Sequence, residues 1–202
     1  LGINAESSSA SNMFVVGNHF DGRVYLTGTQ KAIIEANIFN GGVMQIPTLD
    51  PGGPWASFAE NLVLLRGDDP PVHVRWGHEV VDNVFVVDKP ESKNPDFILV
   101  EYGTGETHVQ GNIFWFSGGS LSGIEGEVVT LSDPDSGDLE TNHLTIEGNI
   151  ILPNANGPAG NNNVSGTLLV AMFPGYQTVT VERNTVLTDW NGAIQLWPDV
   201  ED

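Results

Sequence analysis

An asparagine recurs at the same point of a short apolar phrase that this chain repeats seven times. The first copy is FVVGNHF at 14–20 and the last is TVERNTV at 180–186. The residue three before the Asn and the residue two after it are apolar in every copy, whereas the residue just before it ranges from Gly to Arg. Self-similarity with a period of roughly 20 to 50 residues indicates a solenoid. The seven asparagines are Asn18, Asn37, Asn61, Asn83, Asn112, Asn149 and Asn184.

The apolar columns on both sides of the Asn indicate two short strands that meet at a corner. Successive residues of a strand face opposite sides, so both columns can face one core. Asn tolerates the left-handed backbone conformation, and we expect the Asn itself to turn the corner. In stacked coils these side chains would lie about 4.8 Å apart and form a hydrogen-bonded ladder. The alternative is an antiparallel sandwich with seven unrelated Asn turns, which the shortage of hairpin signals disfavours.

A further apolar segment follows every copy of the phrase and predicts a third strand in each coil. A related segment, LGIN, opens the chain. The spacing between these segments varies, which is typical of solenoids whose loops absorb insertions. The predicted third strands are VYL at 24–26, VMQI at 43–46, VHVRW at 72–76, ILVEY at 98–102, VVTL at 128–131, LLVAM at 168–172 and AIQLW at 193–197.

The Asn corner and the three-strand coil resemble the right-handed parallel β-helix family, the pectin-lyase-like fold, over nearly the whole chain. The resemblance implies an all-β, single-stranded parallel β-helix of about seven to eight coils, forming one domain over 1–202. In carbohydrate-active members, loops at the other two corners wall a groove over the third strand. The long insertions of this chain fall at those corners, which implies a groove here. They are 47–55, 66–71, 88–96, 117–127, 133–142 and 153–166.

The charge balance is strongly acidic, with 7 Lys and Arg against 26 Asp and Glu, a net charge of −19. Such a charge repels nucleic acid and anionic membranes, so neither is an expected partner. No apolar run approaches the ~20 residues that span a bilayer. An acidic surface suits a saline or calcium-bearing exterior, so we expect a secreted or cell-surface protein. The chain opens on LGIN without a Met, and we expect it to be a segment of a longer protein.

The outward residues of the third strands are the expected functional site. Alternation predicts that Tyr25, His73, Arg75 and Glu101 face outward, with Arg75 and Glu101 on neighbouring coils. A polysaccharide lyase needs a cation that neutralises a sugar carboxylate and a base that removes the adjacent proton, and Arg75 with His73 or Tyr25 could supply both. The alternative is a surface Arg–Glu pair worth at most about 1 kcal/mol. Candidate sugar-binding residues on the same stripe are Gln45, Thr130, Gln195 and Trp197.

The segment Val-Arg-Trp-Gly at 74–77 resembles the Leu-Arg-His-Gly strand end of the alginate-lyase and chondroitinase-B group. That resemblance implies a lyase role for Arg75. The group pairs its Arg with a Lys on a neighbouring coil, where this chain has Gln-Ile-Pro at 45–47. Without that Lys the mechanism of that group does not carry over, and the match covers only four residues.

Four carboxylates are concentrated in the predicted loop at 133–142, together with a turn-forming Gly137. Such a loop can fold around calcium, which takes six to eight oxygen ligands at about 2.4 Å. The alternative is a solvated Asp-Gly turn. The candidate calcium ligands are Asp133, Asp135, Asp138 and Glu140.

Two functions from different classes fit these patterns. The first is an extracellular module that binds an acidic polysaccharide and cleaves it by a lyase-type reaction, with an outward Trp115 as a candidate stacking platform. The alternative is a non-catalytic structural or adhesive shaft of a surface protein, tailspike or filament. A shaft whose end coils are uncovered would assemble end to end or as a homo-oligomer. The fold itself is shared by both classes and does not decide between them.

Overall fold

The structure of the protein is a computed structural model, and the description below is confined to the part of the chain that it describes. For many residues of the sheet that contains the first strand, only the backbone pairing is described. The described residues are 2–4, 13–22, 24–27, 32–40, 44–45, 56–66, 72–75, 77–88, 96–101, 105–117, 124–131, 143–152, 164–171, 178–187 and 194–196.

Over these residues, three parallel sheets wind around one core. We number the strands β1 to β22 in chain order, and the chain visits sheets A, B and C in turn. Seven such rounds are present, and β22 begins an eighth on sheet A. The prediction of a parallel β-helix of seven to eight coils is therefore confirmed, while its right-handed winding stays a prediction. No helix in the described part of the chain is long and apolar enough to cross a membrane.

Sheet A has eight described strands and contains every predicted third strand. Three strands begin earlier than predicted, at Asp96, Ile124 and Val164, inside the segments predicted as loops. The two longer extensions pair with each other, Ile124 opposite Val164, so each supplies the backbone partner that the other needs. The strands are β1 Gly2–Asn4, β4 Val24–Thr27, β7 Met44–Gln45, β10 Val72–Arg75, β13 Asp96–Glu101, β16 Ile124–Leu131, β19 Val164–Ala171 and β22 Ile194–Leu196.

Sheets B and C have seven described strands each and meet at the Asn corner. In sheet B the inward residues alternate with a mixed polar outer face, for example in the buried–exposed pattern of Glu106–Gln110. Its strands are β2 Met13–Val16, β5 Ala32–Glu35, β8 Ala56–Ala59, β11 Glu79–Val81, β14 Glu106–Gln110, β17 His143–Glu147 and β20 Thr178–Glu182.

Sheet C continues each coil after the corner, and its strands pair in the same coil order. Its register places the residue two after each Asn directly opposite its counterpart on the next coil, as for Phe85 and Phe114. Its strands are β3 His19–Asp21, β6 Ile38–Asn40, β9 Leu62–Arg66, β12 Val84–Asp88, β15 Ile113–Ser117, β18 Ile150–Leu152 and β21 Thr185–Val186.

The two apolar columns around the Asn form the core, as predicted, and each of the first five coils buries one Phe. On sheet C, Phe20 stacks on Phe39 with ring centroids 5.2 Å apart, and Phe85 stacks on Phe114 at 5.0 Å. Offset or tilted contacts between aromatic rings add to the stabilisation that burial provides. The last two coils carry only aliphatic residues in these columns.

Coil three exchanges the sizes of its two core residues. Its Phe58 lies on sheet B and its smaller Val63 lies in the phenylalanine row of sheet C. Phe58 reaches between the rows, with ring centroids 6.0 Å from Phe39 and 6.3 Å from Phe85. The aromatic stack therefore stays continuous, and the exchange preserves the volume that fills this layer of the core.

The corner is turned by the residue before the Asn. Its φ is 55° at Glu60, 54° at Asp82 and 57° at Arg183, whereas no Asn of the seven has a positive φ. The prediction that the Asn itself is left-handed is wrong. The residue before it is left-handed instead, and this turn directs the side-chain amide of the Asn between the coils. A non-glycine residue pays about 1 kcal/mol or more for this conformation. The left-handed residues are Gly17, Ala36, Glu60, Asp82, Gly111, Gly148 and Arg183.

The predicted asparagine ladder is confirmed. Asn61 Nδ2 donates to Asn83 Oδ1 at 3.0 Å, and the Asn61 backbone N–H donates to the same oxygen at 2.9 Å. Asn83 Nδ2 in turn donates to Asn112 Oδ1 at 2.9 Å and back to the Phe58 carbonyl at 2.8 Å. Each inner amide thus bonds the coils on both sides of it, which is how a buried amide avoids an unsatisfied group.

Candidate functional site

The predicted sugar-binding residues of sheet A lie in one register row. Gln45 is opposite both Tyr25 and His73, so these three residues follow one another on successive coils. The row runs perpendicular to the strands, with coils about 4.8 Å apart. We call it the Tyr25 row, and its members in coil order are Gly2, Tyr25, Gln45, His73, Leu99, Thr130, Val170 and Gln195.

The Tyr25 row is adjacent to a buried row of the same sheet. Val24, Val72 and Ile98 each precede a member of the row by one residue, and all three are completely buried. Two apolar residues, Leu99 and Val170, interrupt the series of hydrogen-bonding residue types. The register brings Tyr25, Gln45 and His73 together on consecutive coils and leaves Thr130 and Gln195 separated from them. The outward orientation of the row stays a prediction from strand alternation.

Arg75 and Glu101 are direct register partners on neighbouring strands. The sequence predicted this neighbourhood, and the backbone of β10 and β13 provides it. Adjacent parallel strands place such residues close enough for an ion pair. Trp197 and the candidate calcium ligands Asp133, Asp135, Asp138 and Glu140 lie outside the described residues.

The outer face of sheet B carries titratable groups that the sequence analysis left aside. His108 Nε2 lies 3.8 Å from Glu106 Oε2, and Glu79 is the register partner of His108 on the preceding coil. His143 is the register partner of Glu106 on the following coil. Within the described ranges, no three His, Cys, Asp or Glu side chains are grouped so as to hold a metal ion. This face is therefore largely polar in coils four to six, without a metal site among the described residues, whereas at coil one it exposes Phe14 and Val16.

The corner between sheets A and B is tight in coil four. Gly77 has a φ of 93°, and its N–H donates to Thr107 Oγ1 at 3.0 Å. A Cβ built on Gly105 would meet Gly77 Cα at 3.3 Å, so the two coils approach closely here. His78 follows Gly77 and is buried, and its carbonyl accepts a hydrogen bond from the His108 N–H at 3.1 Å. This corner lies directly after the strand that carries His73 and Arg75.

Two rows on the outer face of sheet C are apolar through coils three to six, and the residues two further along the strands of coils three to five are Arg66, Asp88 and Ser117. Trp115 is 46% exposed and Ile150 is 37% exposed, which confirms the outward placement predicted for Trp115. Two parallel rows make up this surface, with Val84 opposite Leu62 and Ile113 in one of them. We call it the sheet C strip, and its residues are Leu62, Leu64, Val84, Val86, Ile113, Trp115, Ile150 and Leu152.

The sequence analysis missed this strip although the signal was present. The residue directly after the Asn is apolar in coils two to six, where it is Ile, Leu, Val, Ile and Ile. In a half-exposed strand this position should be polar, since it alternates with the inward column. An apolar residue there indicates a surface that something else covers or binds.

Comparison of the chain with protein-family models, with curated proteins and with solved structures found no match. The class that the structure defines is therefore the parallel β-solenoid, on the basis of its three parallel sheets and its Asn and Phe stacks.

Proposed function

We propose that this protein is an extracellular β-helix module that binds an acidic polysaccharide along sheet A. The observation that carries the proposal is the Tyr25 row, in which Tyr25, Gln45 and His73 occupy one line on successive coils. A straight array of donors and acceptors suits a linear polymer, because each coil can bond a further part of it. The acidic composition of the chain supports a secreted or cell-surface location.

Arg75 gives the proposal its acidic ligand and its lyase-type reaction. It lies two residues from His73 on β10, so a sugar at His73 is within reach of a guanidinium. In this proposal Arg75 neutralises the uronate carboxylate, and His73 or Tyr25 removes the proton from the adjacent carbon. A carbon–carbon double bond forms as the glycosidic C–O bond breaks, and the leaving sugar oxygen takes a proton from the protonated base or from water. The net charge of −19 opposes an anionic polymer elsewhere on the surface. Binding should therefore weaken less with added salt than in a basic binder, and calcium bound by Asp133, Asp135, Asp138 and Glu140 would assist it.

Binding is tested first, by affinity electrophoresis in gels that contain alginate, pectate or a neutral glucan, with calcium and with a chelator. We expect retardation by an acidic polymer. His73→Ala should weaken it about tenfold, as loss of hydrogen bonds to a charged or sugar group does. His108→Ala is the matched control, because it removes a histidine from the outer face of sheet B. If no polymer changes the mobility of the protein, or if the two variants have equal mobility, the Tyr25 row is not the polysaccharide-binding site.

Cleavage is tested separately by the ultraviolet absorbance of unsaturated products. Arg75→Ala should abolish that absorbance, while Arg75→Lys keeps the charge and loses the two-pronged geometry. Undiminished product formation by Arg75→Ala removes Arg75 from the reaction. Retardation without any product identifies a binding module and removes the lyase step alone.

A second candidate function is a structural shaft, and the ends of the ladder favour it. Asn184 is only partly buried at one end, and Val179, Val181 and Val186 of the same coil are partly exposed. At the other end Asn18 is exposed, and none of the described residues donates a hydrogen bond to its Oδ1. From Asn18 to Asn149 each Asn donates to the Oδ1 of the Asn on the next coil, whereas Asn184 Nδ2 donates to the Ile146 and Glu182 carbonyls. A second copy stacked on coil seven would therefore offer the Asn18 Oδ1 as the acceptor that continues the ladder. Concentration-dependent fibres in electron micrographs, lost in Val181→Glu, would support this function, and single particles at every concentration would exclude it.

A further inference from the structure

We propose that the sheet C strip is an interface between two copies of this protein, packed face to face. The strip combines seven half-buried or exposed apolar residues on four consecutive coils with one buried residue, Val86. Ile38 extends it by one coil and is 39% exposed. Scattered apolar residues on a surface need no explanation, whereas a contiguous patch marks an interaction site.

Charge identifies a second copy as the occupant. No residue of the strip is ionisable, although the chain carries a net charge of −19. A basic partner would be drawn to the acidic faces, such as the one with Glu106 and Glu147, and would gain nothing from a neutral strip. Another copy is itself strongly acidic, and this neutral face is where two copies repel each other least.

The geometry of the strip is self-complementary. Its ridges repeat at the strand spacing of about 4.8 Å, so the ridges of one copy fit between those of another with the sheets about 10 Å apart. A two-fold axis through the strip brings the same surface of both copies into contact, which closes the assembly as a dimer. The axis would pass close to Trp115, which at 46% is the most exposed residue of the strip.

The size of the strip predicts a weak dimer. Val86 is buried, Trp115 is less than half exposed, and most of the other side chains are half-buried, so the apolar area that the strip offers is small. A standard stable interface buries about 800 Å² on each partner, so residues at the rim must complete this one. Repulsion between two acidic copies opposes association, and added salt should therefore strengthen the dimer.

The test uses sedimentation equilibrium of the full chain at low and at high sodium chloride. We expect a monomer–dimer equilibrium whose dissociation constant falls as salt rises. Ile113→Glu places a charge in the centre of the strip and should raise the dissociation constant at least about tenfold. Thr145→Glu is the matched control, half-buried on the outer face of sheet B, and should leave the dissociation constant within about twofold. A monomer under all conditions, or equal effects of the two variants, overturns the proposal.

A second measurement does not depend on how well the glutamate variant folds. The chain has no cysteine, so Trp115→Cys introduces a single thiol on the strip. Across a two-fold axis this thiol should form a disulfide-linked dimer in dilute oxidising solution, because its copy lies opposite. Thr145→Cys should stay unlinked. Equal cross-linking of both variants overturns the interface. A Trp115→Cys variant that stays monomeric and is no longer retarded by the polysaccharide also overturns it, and that result would assign the strip to sugar binding. Val181→Glu should leave the strip dimer intact.

Discussion

Coils four and seven carry the same phrase and the same corner, but they differ in what surrounds them. Asp82 and Arg183 turn the two corners with φ values of 54° and 57°. The amides of both coils take part in the same ladder. Asn83 is completely buried, whereas Asn184 is only partly buried. The difference is that coil four has a neighbour on each side, while coil seven has a described neighbour in sheets B and C on one side only.

This comparison separates conformation from energy. The phrase sets the backbone of a coil, because the turn and the alternation are local. The contribution of that coil to stability comes from stacking, because only a second neighbour removes the core side chains and the amide from water. The predictions below test that separation from the largest expected effect to the smallest.

The sharpest test removes a rung at each place. In Asn83→Ala the N–H and Nδ2 groups of Asn61 lose their acceptor and the Phe58 carbonyl loses its donor. Each buried orphan group costs about 1–3 kcal/mol, so the free energy of unfolding should fall by about 5 kcal/mol. Asn184→Ala should cost only about 1 kcal/mol, since water can reach the groups it leaves. Urea unfolding followed by circular dichroism measures both, and equal losses would contradict the comparison.

A similar contrast is expected for the core column. Phe85→Ala removes a buried ring from the aromatic stack and should lower the free energy of unfolding by about 4 kcal/mol. Val186→Ala occupies the equivalent position of coil seven, is partly exposed, and should cost about 1 kcal/mol. Thermal unfolding by calorimetry ranks the two variants. A larger loss for Val186→Ala would mean that coil seven is covered in solution.

Corners also differ in how closely the preceding coil approaches the left-handed residue. A Cβ at Gly111 would collide with Oδ1 of Asp82, whereas nothing lies near a Cβ at Gly148. Both glycines are left-handed, so Gly148→Ala should cost about 1 kcal/mol and Gly111→Ala about 2 kcal/mol. In an Asp82→Ala background the two alanine variants should become equal by urea titration. A difference that persists there would locate the strain elsewhere.

The smallest effects concern the strained corner residues themselves. Asp82→Gly relieves a left-handed aspartate and should raise the free energy of unfolding by about 0.5 kcal/mol, net of the entropy of glycine. Arg183→Gly relieves the same strain but removes exposed ion pairs with Glu147 and Glu182, so its net effect should be about zero. Denaturation midpoints at low and at high salt separate the two terms. Destabilisation by Asp82→Gly would show that its side chain stabilises the corner.

The sequence predicted the fold well because the repeat is local and dense. The Asn column and the inward columns identified the corner, the ladder and the core without any structure. The same reasoning placed the left-handed turn one residue too late, since both Asn and its predecessor suit a turn and only the ladder geometry decides between them. It also ended the loops too late before β16 and β19, because their extensions are polar and are stabilised by pairing with each other.

The candidate site was predicted less completely. The neighbourhood of Arg75 and Glu101 and the row of Tyr25, Gln45 and His73 follow from counting along strands, and the register agrees with that count. The interruption of the row by Leu99 follows from the same count, because Leu99 precedes Glu101 by two residues as His73 precedes Arg75, but this apolar residue was not included among the outward residues. The sheet C strip was not predicted, because only the inward columns were used.

The sequence by itself determined that the chain winds into stacked coils with an amide ladder, since a repeated pattern of inward apolar residues leaves few other ways to satisfy backbone and core together. Only the tertiary structure decided which residues share a row, which rung is buried and which outer face is apolar. Those properties depend on the register between coils that are far apart in sequence, and loop lengths do not encode that register.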